Sequence, residues 1–103
     1  MIGYTYILRC ADGTFYAGST KDLHYRLEAH AQGLGSDYTS CRLPVVLVWF
    51  AEFDRIDEAF ALEKRIQGWG HAKRQAFIEG GFEAIKGWSA RERALRRTSP
   101  DAE

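Results

Sequence analysis

A carboxylate stands where the chain should carry a hydrophobe. From about Ile56 to Gly68 the residues Ala59, Leu62 and Ile66 form an apolar stripe at helical spacing, and Glu63 falls inside it. A carboxylate in such a stripe is desolvated, paired or ligating. A salt bridge to Arg26 or Lys64 would satisfy it, and so would a divalent cation. Magnesium keeps most of its waters and needs few protein ligands, so one carboxylate can hold it. Upstream, Arg26 and His30 are four residues apart and share a helix face. A guanidinium offers a permanently charged fork to an oxyanion, and an imidazole titrates at about 6.5, where it can relay a proton. Tyr6 and Tyr16 add two phenols. Phenols titrate near pH ~10, so a basic role for either needs a neighbouring cation. Taken singly, each group has an ordinary reading: strand aromatics, a solvated helix face, a salt-bridged acid.

The elements that would position these groups can be read from periodicity and turn residues. Residues 3 to 9 and 15 to 19 are aromatic and β-branched and flank Ala11-Asp12-Gly13, the pattern of a β-hairpin. A two-residue turn at Asp12-Gly13 pairs Ala11 with Thr14 and puts Tyr6 and Tyr16 on opposite faces. A three-residue loop ending in a left-handed Gly13 pairs Cys10 with Thr14 and puts both tyrosines on one face. Thr20 or Asp22 can cap a helix running to about Gln32, ended by Gly33 or Gly35. A polar loop from Gly35 to Leu43 leads through Pro44 into VVLVWFAEF, which reads as the central, most buried strand. The Glu63 helix follows, capped by Asp54 or Asp57, then a break at Trp69-Gly70 and a short helix from about His71 to Glu79 ended by Gly80-Gly81. The order β-β-α-β-α-α predicts an α+β fold, a small three-stranded antiparallel sheet flanked by helices. Residues 1–88 read as a single domain and 89–103 as a basic tail, a frayed helix or disordered.

Composition narrows the partners. The 14 Lys and Arg balance 14 Asp and Glu, so binding to nucleic acid cannot rest on bulk charge and must come from local patches. One such run is Lys64, Arg65, Lys73 and Arg74. Cys10 and Cys41 lie far apart with no CxxC or His/Cys cluster, which argues against zinc or a disulfide framework. The apolar runs are too short to span a membrane and the first residues lack signal-peptide order, so a cytoplasmic protein is expected.

The motifs in combination resemble the GIY-YIG nuclease domain, in particular its small stand-alone bacterial members. The likeness runs from about Tyr4 to Phe82. Tyr6 in Tyr4-Thr5-Tyr6 matches the first tyrosine motif, and Tyr16-Ala17-Gly18 matches the second in a loose form. DLHYRLEAH resembles the arginine helix, with Arg26 at the catalytic position and His30 where many members carry histidine. YTSCRLPVVLVW resembles the segment entering the third strand, and EAFALEKRIQGW the helix bearing the metal-ligand glutamate. Two positions depart from the family pattern: Asp37 precedes Tyr38 where lysine is usual, and Gln67 replaces a lysine after the glutamate. Each removes a positive charge from the nucleic-acid side.

The resemblance implies a metal-dependent endonuclease that hydrolyses phosphodiesters, in DNA rather than RNA. Glu63 would hold Mg²⁺ or Mn²⁺, Tyr6 would act as base or position the attacking water, and Tyr16 would orient substrate or water beside it. Arg26 would bind the phosphate, His30 would relay the proton, and Tyr38, Lys64, Arg65, Lys73 and Arg74 would contact the nucleic acid. A protein partner or a homodimer would supply the targeting that so short a chain leaves unassigned. The competing readings are a non-catalytic nucleic-acid-binding module of the same fold and a protein-interaction domain built on the tyrosines and tryptophans.

Overall fold

The hairpin is the starting point of the architecture, and its turn settles which faces the tyrosines share. In the computed structural model, which describes residues 1–88, β1 (Gly3–Arg9) and β2 (Phe15–Thr20) pair antiparallel, Tyr6 opposite Gly18 and Leu8 opposite Tyr16. The Cys10 amide donates to the Thr14 carbonyl at 2.8 Å, and Gly13 has φ 85°. The connection is therefore the three-residue loop with a left-handed glycine. Even-numbered residues of both strands point to one face, so Tyr6 and Tyr16 lie together.

β3 (Val46–Phe53) pairs antiparallel with β1, giving the sheet order β2-β1-β3. The expectation of a central β3 is overturned: it is an edge strand, none of its residues is fully buried, and Phe50 is exposed. β1 holds the centre, with Thr5, Tyr6, Ile7 and Leu8 all but inaccessible. Apolar content alone does not identify the central strand. β1 carries polar groups into the core because each finds a partner, such as the Thr5 hydroxyl donating to the Ala59 carbonyl at 2.7 Å.

Helices cover both faces. α1 (Leu23–Ala31) is capped by Asp22, whose carboxylate accepts from the Tyr25 amide at 3.0 Å, and it ends at Gly33, with φ 81°. The polar loop contains one further turn, α2 (Asp37–Ser40), started by Ser36. α3 (Ile56–Gln67) buries Ala59, Leu62, Glu63 and Ile66 as the stripe predicts. Its cap differs from expectation: Arg55 occupies the N-cap position with no side-chain bond, and its guanidinium pairs with Asp57 at 2.9 Å instead. The Thr5 bond places α3 on the odd-numbered face of the sheet, opposite the tyrosines.

The chain divides into two compact units, Met1–His71 and a second beginning at Ala72. Helical structure from His71 to Ile85 (α4) is interrupted at Gly81, at φ 70° and ψ −158°, near the stop read from Gly80-Gly81. Within the second unit, Phe77 and Phe82 meet edge to face at 4.9 Å. The tail read at 89–103 lies outside the described residues. No helix among the described residues is long and apolar enough to cross a membrane.

Candidate active site

The first half of the site is built on the tyrosine face. The Tyr6 side chain lies over Gly18, its partner on β2, where a Cβ would collide with the phenol. That missing side chain lets Tyr6 reach the His30 ring, and its hydroxyl meets Nε2 at 2.8 Å. Nδ1 of His30 meets the Thr39 hydroxyl at 2.9 Å, and Thr39 is fixed in turn by Ser36, whose hydroxyl accepts from the Thr39 amide at 3.1 Å. Gly35 packs so closely on the imidazole that any β-carbon there would overlap it. Tyr6, His30 and Thr39 are all fully buried. Tyr16 packs edge-on against the His30 ring at 5.3 Å and stacks on Tyr38 at 6.0 Å.

The second half arrives from the opposite face. Glu63 is only 9% exposed, so the stripe logic is correct, but neither Arg26 nor Lys64 pairs with it. Its partners are neutral: the Ser19 hydroxyl donates at 2.5 Å and the Gln67 amide at 2.6 Å. Gln67 also reaches the Ala17 carbonyl at 3.4 Å, which ties the clamp to β2. Arg26 joins the two halves, since it acts on the Tyr6 hydroxyl and reaches the Glu63 side. There a cleft of about 680 Å³ is lined by Ser19, Arg26, Ile56, Phe60 and Glu63 among others.

The electrostatics differ from expectation at Tyr6. A basic role needs a neighbouring cation to depress its pKa, but burial pushes the phenol up to about 12, with Tyr16 adding to the rise. Arg26 pulls the other way, and Glu63 pushes it further up. Desolvation wins because the hydroxyl is enclosed on the sheet, and both Arg26 and Glu63 are close enough to act on it. Burial, seconded by Arg26, lowers the His30 pKa below its ordinary value, which keeps the ring neutral.

The structure thus sets Tyr6, Tyr16 and His30 on one face of the sheet and Glu63 on the other, with Arg26 both acting on Tyr6 and lining the cleft that Glu63 borders. The other sequence candidates are dispersed. The Tyr38 hydroxyl donates to Thr14 at 2.8 Å and Arg42 covers its ring at 3.9 Å, so this tyrosine braces the hairpin loop. Lys64 and Arg65 are exposed on α3, whereas Lys73 and Arg74 belong to the second unit. Reasoning from sequence missed Thr39, Ser36 and Gly35, which hold the imidazole, and Gln67 as the clamp on Glu63. The glycine inside the β2 pattern was a legible signal for close approach.

The donor set suits a magnesium-type ion. Each Glu63 oxygen accepts one hydrogen bond and keeps a lone pair, both donors are uncharged, and the carboxylate borders an open cleft. Among the described residues no cluster of three or more His, Cys, Asp or Glu side chains offers an alternative.

Comparison with known proteins agrees with this fold. The family model of the GIY-YIG catalytic domain matches residues 2–76. A UPF0213 protein of Bacillus pumilus is 43% identical over 76 residues, covering 74% of this chain and 78% of its own. One from Staphylococcus saprophyticus is 38% identical over 78 residues, covering 76% and 95%. The solution NMR structure of a UPF0213 protein from Bacillus halodurans superposes with a TM-score of 0.52 at 33% identity, covering 84% of this chain and 96% of that one. With the three-stranded sheet and the paired tyrosine motifs already in place, the match over most of its length makes this chain a member of the GIY-YIG family of nuclease domains.

Proposed function

We propose that this protein is a metal-dependent endonuclease that hydrolyses phosphodiester bonds in DNA. The observation that carries the reading is the buried contact of the Tyr6 hydroxyl with a neutral His30, beside Arg26 and within reach of Glu63. A phenol titrating at about 12 holds its proton at neutral pH, so it cannot serve as a standing base. It can serve as a relay. With the Thr39 hydroxyl donating to the Ser36 carbonyl at 3.4 Å, Nδ1–H of His30 donates to Thr39 and Nε2 accepts the Tyr6 proton. Tyr6 and His30 are both closed to solvent, so the attacking water must enter with the substrate; as it loses its proton to the Tyr6 oxygen, Tyr6 passes its own to Nε2, and the charge ends on the imidazolium. Tyr16 flanks the water through its contact with the same ring. Arg26 offers a bidentate grip on the phosphoryl oxygens as they gain charge. Glu63, oriented by Ser19 and Gln67, would hold Mg²⁺ or Mn²⁺, which when bound supplies Lewis-acid stabilisation of the phosphate.

The test is cleavage of single-stranded, duplex and branched DNA over a titration of each metal, with Glu63→Gln as the control. Metal-dependent cutting that falls on the order of 10²–10³-fold in the variant supports the reading. No cutting of any substrate by the wild type, or full activity in Glu63→Gln, overturns it. A second reading, a non-catalytic module that binds nucleic acid, draws on the protein donors already engaged by both Glu63 oxygens. Binding that persists in chelator without turnover would select it.

A further inference from the structure

Phe60 takes no part in the chemistry above, yet it stands beside it. On α3, Phe60, Glu63 and Lys64 are spaced i, i+3 and i+4 and so form one patch. The ring is 51% exposed and lines the same cleft as Ser19, Arg26, Ile56 and Glu63. Lys64 Nζ lies over it, 4.9 Å from the centroid, an arrangement in which cation and ring hold each other in place. A large apolar ring is therefore presented to solvent one helical turn from the carboxylate, where burial would favour covering it.

An occupant suited to this position offers a flat apolar face to the side of the ring that Lys64 leaves open and a phosphate to Arg26. A nucleotide with an unpaired base does both. A nucleotide within intact duplex does not, because its base is already stacked and paired. We infer that Phe60 is a stacking platform for an unpaired nucleobase beside the phosphate held by Arg26. The preferred substrate is then a strand that is single or locally opened at the point of cleavage. This rests on the nuclease reading and adds the substrate class to it.

The experiment compares the full-length wild type, Phe60→Ala and Phe60→Tyr. Affinity for a labelled single-stranded oligonucleotide and its duplex is measured by fluorescence anisotropy in chelator, and cleavage of both is then followed with Mn²⁺. Phe60→Ala is expected to weaken single-strand binding about tenfold and leave duplex binding unchanged, while Phe60→Tyr retains the wild-type preference. Equal loss on both substrates, or no loss, overturns the platform. So does a change from dimer to monomer in Phe60→Ala by sedimentation, which would assign the ring to a second copy of the chain. A wild type that cuts DNA with a strand preference indifferent to Phe60 removes the platform alone. A wild type that neither binds nor cuts removes the nuclease reading beneath it.

Discussion

The two halves of the site are built in opposite ways. On the tyrosine face, Tyr6, His30 and Thr39 are sealed from solvent and joined by uncharged hydrogen bonds. On the α3 face, Glu63 borders an open cleft with Arg26 and an exposed Phe60. The difference suits the two tasks that the proposed nuclease reading gives them. Groups that hand on a proton gain from fixed geometry in a dry setting, where no reorganisation precedes transfer. Groups that receive a polyanion and a hydrated cation must stay accessible.

This contrast can be broken by mutation. The largest effect is expected for His30→Ala, which removes the relay and leaves both a cavity and a buried Tyr6 hydroxyl without its imidazole partner. Cleavage should fall about 10²–10⁴-fold, and stability by about 2–4 kcal/mol in urea denaturation. Glu63→Gln should lose comparable rate while its melting temperature stays close to the wild type. If it instead unfolds as readily as His30→Ala, the two halves are not distinct. Gly35→Ala, which pushes a β-carbon into the imidazole, should cost about 1–3 kcal/mol. Gln67→Leu should have the smallest effect, a modest loss of rate from a less well-oriented Glu63, with little change in stability.

A pH series sharpens the same comparison. The folded chain lowers the His30 pKa from 6.5, so below that pH the unfolded chain takes up a proton that the folded one resists. The stabilisation is whole above about 6.5 and is lost as pH falls through the lowered value. Denaturation midpoints from pH 8 down to 5 should show this decline, and His30→Gln should flatten it. Cleavage should share the acid limb, since a protonated imidazole cannot accept from Tyr6.

Much of this was legible in the residues themselves. The hairpin, the Asp22 cap, the Gly33 stop and the burial of Glu63 follow from local pattern, because each depends on neighbours a few positions away. The five clustered side chains came from motif resemblance, supported by the one acid out of place in an apolar stripe. What stayed hidden depends on long-range partners. VVLVWFAEF looks central because it is apolar, but pairing places it at the edge. Thr39 sits in what reads as a polar loop, and only the fold shows that it grips His30. Phe60 lies off the helix stripe, and nothing local indicates that it borders the cleft.

The loop Ala11-Asp12-Gly13 has a consequence for how this hairpin can vary. Cys10 and Thr14 close it, and opposed residues of antiparallel strands point to one face, so it is this pairing that puts Tyr16 on the side of Tyr6. Lengthening or shortening the loop between Cys10 and Thr14 leaves every β2 side chain on its face. A slip that pairs Ala11 with Thr14 would turn them all over, exchanging Tyr16 with the Ala17 side and pulling Ser19 away from Glu63. Functional variants of this turn should therefore differ freely in loop length and not at all in the pair that closes it.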